Sequence, residues 1–63
     1  MISPLASVDS TAKIGKNVTI QPFAYIEGDV EIGDDCVIMS NASILKGTRL
    51  GKGNKVHHGA VLG

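Results

Sequence analysis

The side chains able to do chemistry are few in this chain of 63 residues, and they do not gather into a known constellation. Its one cysteine, Cys36, would need exposure and a neighbouring base to act as a thiolate nucleophile. His57 and His58 are the only imidazoles. Adjacent residues of a strand point in opposite directions, so this pair cannot grip one metal unaided. No HxxxH, CxxC or carboxylate cluster accompanies them. Ser7, Ser10, Ser40 and Ser43 lack an identifiable His–acid partnership, and the glycines follow neither a GxGxxG fingerprint nor a P-loop. Residues 1–63 therefore receive no catalytic, substrate-binding or metal assignment, and no cofactor is implied.

The charges offer a second possible chemistry. Residues 27–35 hold Glu27, Asp29, Glu31, Asp34 and Asp35 with no base, and residues 46–55 hold Lys46, Arg49, Lys52 and Lys55 with no acid. The basic run is either a docking patch for an acidic partner or one side of a ladder of opposite charges. Net charge is zero, so composition points to neither nucleic acid nor an anionic membrane as partner. The longest apolar runs fall far short of the roughly 20 residues of a membrane span, and Met1–Gly15 shows no signal-peptide pattern. One cysteine cannot form an internal disulfide, which fits a reducing cytoplasm.

What must position all of these is a repeat. Ile2, Val8, Ile14, Ile20, Ile26, Ile32, Ile38, Ile44, Leu50, Val56 and Leu62 form an unbroken series with spacing six. Helix positions six apart diverge by about 240°, so no helical face collects them. Two residues before each, from Val8 onward, stands a small or medium residue: Ala6, Ala12, Val18, Ala24, Val30, Cys36, Ala42, Thr48, Asn54 or Ala60. Each hexad thus reads as small inward, one outward, branched aliphatic inward, then a corner. That phase makes Cys36 a buried thiol and puts His57 and His58 near a corner, either as exposed polar residues or as a ligand or base at a subunit interface.

A period of 18 lies above the period of six. Ile2, Ile20, Ile38 and Val56 open equivalent segments (ISPLAS, IQPFAY, IMSNAS, VHHGAV), and IGKN, IGDD and LGKG place Gly15, Gly33 and Gly51 in one row. Three hexads per 18 residues make a three-sided coil stacked on itself, an all-β parallel β-helix of about 3.5 coils. The glycine row is assigned to corners needing positive φ, and Pro4 and Pro22 to corners with fixed φ. Stacking at 18 puts Lys13, Glu31 and Arg49 in one column, and Lys16, Asp34 and Lys52 in another, alternating in sign. Asp9 and Glu27 stack like charges. Val56, Val61 and Leu62 would leave an open apolar edge, so the 63 residues read as the first coils of a longer domain.

These hexads resemble the hexapeptide-repeat acyltransferases, whose fold is a left-handed parallel β-helix. Within that family the segments ISPLASVDSTAKIG, IQPFAYI, VEIGDDCVI and NKVHHGAVLG are similar to the N-terminal part of the UDP-N-acetylglucosamine O-acyltransferases of lipid A synthesis. The resemblance implies a cytoplasmic homotrimer that moves a 3-hydroxyacyl chain from acyl carrier protein to the 3-hydroxyl of UDP-N-acetylglucosamine. It also implies a histidine general base, a Gln-Asp-Leu-Lys sugar-contacting stretch and a C-terminal helical domain, all beyond the segment matching GAVLG. No functional residue of the family maps onto these 63 positions, His57 and His58 included, so the chain alone is expected to be inactive. The alternatives are a piece of another hexapeptide-repeat acyl- or acetyltransferase, a γ-class carbonic anhydrase (which needs three zinc histidines), or a non-catalytic self-associating scaffold.

Overall fold

The computed structural model describes residues 1–63 as ten two-residue strands with no helix. They are β1 (Ser7–Val8), β2 (Lys13–Ile14), β3 (Thr19–Ile20), β4 (Tyr25–Ile26), β5 (Glu31–Ile32), β6 (Val37–Ile38), β7 (Ser43–Ile44), β8 (Arg49–Leu50), β9 (Lys55–Val56) and β10 (Val61–Leu62). Each strand is the outward residue and the branched aliphatic of one hexad, so its second residue is the aliphatic of the series. Three parallel sheets result, ordered β1-β4-β7-β10, β2-β5-β8 and β3-β6-β9. The register pairs residue i with i+18 throughout, as in Ile14↔Ile32 and Ile32↔Leu50. An isolated bridge, Ile2↔Ile20, extends the third sheet toward the N-terminus. The 18-residue coil is therefore real.

Core composition follows from the same phase. The buried apolar residues are Val18, Ile20, Ala24, Ile26, Val30, Ile32, Cys36, Ile38, Ala42, Ile44 and Val56, all from the two inward rows. Small residues alternate with branched ones because three walls converge on a narrow interior, which close packing fills without voids. Ala6, Val8, Ala12, Ile14, Leu50, Ala60 and Leu62 are only half-buried because they line the two ends, where no further coil covers them. Val61, by contrast, faces outward and is exposed, so it is not part of the apolar edge expected of it.

The corners differ from expectation, and the reason is physical. Gly15, Gly33 and Gly51 do not adopt positive φ. The left-handed position comes two residues later in the hexad, at Asn17, Phe23, Asp29, Asp35, Asn41, Gly47, Gly53 and Gly59. Several corners close with a backbone N–H donated three residues back, as from Ala24 to the Gln21 carbonyl and from Ala60 to that of His57. Proline second and a left-handed residue third mark a type II turn, and Pro22-Phe23 fits that form. What Gly15 and Gly33 provide is clearance. A Cβ on Gly33 would lie 2.7 Å from the Gly51 carbonyl carbon and from the Lys52 nitrogen; one on Gly15 would meet Asp34 Oδ1 at 2.4 Å.

Candidate functional site

Cys36 is fully buried, and its Sγ lies 3.1 Å from the Gly51 carbonyl oxygen, to which the thiol donates. Neither solvent nor a base reaches it, so the inward assignment holds and thiolate chemistry has no support. Thr48 occupies the same row; its Oγ1 donates to the Leu45 carbonyl at 2.7 Å. Asn54, the polar member of that row, stays exposed at the uncovered end, where its Nδ2 donates to Gly51 O at 2.9 Å. The interior rows are structural.

His57 and His58 are both exposed and close the turn ahead of β10. His58 Nδ1 lies 3.3 Å from the Ser40 carbonyl one coil below. Neither ring meets a carboxylate, and no three metal-ligating side chains converge anywhere in the chain. His57 joins Leu50, Asn54, Lys55, Val56, Ala60 and Leu62 around a shallow cavity of about 330 Å³, the open end of the coil. That cavity is the unfilled top of the core, floored by the half-buried Leu50, Ala60 and Leu62.

The charge ladder is partly built as the columns imply. Lys13, Glu31 and Arg49 are in register, and Arg49 pairs with Glu31 at 3.5 Å and with Asp29 at 3.0 Å. The acidic and basic runs thus face one another one coil apart, and Arg49 is engaged rather than free for docking. The second column works differently. Asp34 Oδ1 accepts from the backbone N–H of Lys16 at 2.8 Å, so the carboxylate ties two corners together without using an ammonium. The like-charged stack is relieved by neighbours. Asp9 Oδ1 accepts from the Thr11 hydroxyl and backbone N–H, and these bonds hold its carboxyl below the ordinary value. Glu27 accepts from Lys46 N–H at 2.8 Å and from the Tyr25 hydroxyl at 3.1 Å, and the latter contact raises the phenol's pKa.

Two features escaped the sequence reading. Ser3 is buried, with its Oγ accepting from Leu5 N–H at 3.1 Å. Phe23 sits at φ 68° while largely exposed, an unfavourable conformation for a bulky residue. The signal for the corner row was present as Asn, Asp and Gly recurring every sixth residue from Asn17 to Gly59, with Phe23 as the exception.

The profile described as bacterial transferase hexapeptide (six repeats) matches residues 11–42 and 29–63. The chain belongs to the bacterial transferase hexapeptide family. Among its relatives, the acyl-[acyl-carrier-protein]–UDP-N-acetylglucosamine O-acyltransferases of Brucella ovis and Brucella canis are each 39% identical over 62 residues. That alignment takes in 98% of this chain but 22% of each relative. The solved structure of UDP-N-acetylglucosamine acyltransferase from Campylobacter jejuni superposes with a TM-score of 0.98 at 35% identity, over 100% of this chain and 25% of that one. A superposition so complete requires the same hand, and this hexapeptide-family coil is a left-handed parallel β-helix. The chain spans about a fifth of the length of the curated relatives it matches.

Proposed function

We propose that these residues form the N-terminal coils of a cytoplasmic, homotrimeric acyltransferase that moves a 3-hydroxyacyl chain from acyl carrier protein to UDP-N-acetylglucosamine in lipid A synthesis. The observation that carries the reading is continuous likeness across 98% of the chain to enzymes named for this reaction. A physical division of labour supports it. Acyl transfer to a hydroxyl needs a positioned general base and donors for the developing oxyanion. Here both histidines lack an orienting acid, and the thiol is sealed in the core. These coils serve as a rigid support, and the chemistry belongs to residues outside them. No helix is long and apolar enough to cross a membrane.

The test is an acyl-transfer assay with UDP-N-acetylglucosamine and a 3-hydroxyacyl-loaded carrier protein. The 63-residue chain should give no turnover above blank, whereas a polypeptide extending these coils to the relatives' length should give turnover. Turnover by the short chain would refute the division of labour; none by the long one would refute the acyltransferase reading.

A further inference from the structure

The hydrogen-bond ladder has one polarity along the coil axis. The outward residue of a strand, and the residue following the strand, donate to a carbonyl 17 places on, as from Lys13 to Val30, Gly15 to Ile32 and Ser43 to Ala60. The inward residue donates 19 places back, as from Ile20 to the Met1 carbonyl. The two ends of the molecule are therefore chemically different. At the upper end the N–H groups of Gly51, Lys55, His57, Val61 and Gly63 have no partner within the chain. At the lower end the carbonyls of Ile2, Ala6, Val8, Ala12 and Ile14 have none. Half-buried apolar side chains line both ends, among them Leu50 and Leu62 above and Val8 and Ile14 below. An open strand edge of this kind is a template for another strand.

We propose that the upper end of one copy of this chain receives the lower end of another, so that copies add head to tail into a filament that continues the solenoid. The phase of the repeat sets the register. The next place in the aliphatic series lies six residues after Leu62, and Ile2 of a neighbour turned a third of a revolution about the coil axis fills it. Leu50 then meets Ile2, Val56 meets Val8 and Leu62 meets Ile14, as residues 18 apart meet inside one copy. The open donors fall on the open acceptors in order: Gly51 on Ile2, Lys55 on Ala6, His57 on Val8, Val61 on Ala12 and Gly63 on Ile14. The charges agree with that register. Lys52 stacks on Pro4, Lys55 on Ser7 and Val61 on Lys13, so no lysine meets another, and His57 lies beneath Asp9. A contact between unlike surfaces that closes no ring grows an open filament. The acyltransferase reading plays no part here, and a further coil of a longer chain would occupy the same upper edge. One end of a body of 21 × 20 × 19 Å offers less area than a standard interface, so ladder bonds carry the junction and each contact is weak.

Analytical ultracentrifugation of the purified chain from about 10 µM to about 1 mM tests this, together with fibre diffraction of the concentrated sample. Wild type should give a series of sizes that grows with concentration, and aligned filaments should diffract at about 4.8 Å along their axis. Val61→Pro removes an N–H that has no partner within the chain, a change an edge strand tolerates. Ile2→Lys puts an ammonium at a position already 44% exposed. Each should keep the coil's circular dichroism and weaken growth roughly tenfold or more. Mixed, the two variants should pair and stop there, because only the lower end of the proline variant and the upper end of the lysine variant remain usable. Tyr25→Arg, on an outward side face, should grow as wild type does. A chain that stays monomeric across the range overturns the proposal. So does a closed oligomer of fixed size, or growth that Tyr25→Arg stops and both end variants leave intact. A mixture that grows as far as wild type overturns the head-to-tail polarity. Should either end variant lose the coil's spectrum, wild-type growth and the axial reflection still decide.

Discussion

Gly33 and Gly51 occupy equivalent positions, yet they should respond to the same substitution to very different degrees. An added methyl at Gly33 collides with backbone of the next coil, whereas the nearest atom to one at Gly51 is Asn54 Nδ2 at 3.8 Å. Gly33→Ala should cost about 1–3 kcal/mol and Gly51→Ala within about 0.5 kcal/mol by chemical denaturation. Equal costs would restore a conformational role for the row. Tyr25 is the only tyrosine, so its ionisation can be followed by tyrosinate absorbance. Its hydrogen bond to Glu27, and then that residue's charge, raise its pKa; the midpoint should lie above the ordinary phenol value and fall back in Glu27→Gln. The neutral phenol is the favoured form, so this contribution is complete below the unfolded pKa and is lost as pH rises through the folded one. Asp9 runs the other way. Its Thr11 bonds lower its pKa, so that contribution is complete above the unfolded carboxyl value and fades as pH falls through the folded one. Thr11→Val, which removes the hydroxyl donor, should move the Asp9 midpoint upward in a carboxyl-resolved NMR titration.

A strand here is two residues long, and its stability comes from stacking rather than length. That makes an inward position far more sensitive than a corner. Ile32→Asp puts a carboxylate among Ile14, Leu50 and the core rows and should abolish cooperative unfolding, since an unpaired buried charge outweighs the margin of so small a domain. Asp34→Ala removes one hydrogen bond to Lys16 N–H and should cost about 0.5–1.5 kcal/mol. Similar losses in thermal denaturation would contradict the inward assignment. At this scale the sequence was legible wherever side-chain type answers to burial. The rows from Val18 to Ile44 were all readable because a narrow interior admits only small and branched apolar residues. The corners were not, because Gly15 and Gly33 look the same whether they supply a dihedral angle or empty space. Only the distance to the next coil distinguishes the two. Asp34 was misread for a related reason: a column alternating in sign suggests side-chain pairs, while the carboxylate reaches a backbone N–H instead.

For the whole molecule, a period of 18 fixes which residues are neighbours, and everything else depends on that stacking. It brings the acidic and basic runs together at Arg49, gathers uncharged residues on one corner, and leaves Leu50, Ala60 and Leu62 half-buried at an end. The hand of the coil was legible only through family resemblance, because parallel pairing at i+18 is satisfied by either hand. The placement of Cys36 in the core and of His57 and His58 on an exposed corner was legible directly, since the hexad phase sets the direction of each position. Stacking is also what can be measured most directly. In a nuclear Overhauser spectrum of the labelled chain, methyl contacts should run Ile14–Ile32–Leu50 and Ile20–Ile38–Val56, each between residues 18 apart. Contacts confined to residues three or four apart, or an absence of contacts at 18, would contradict the account.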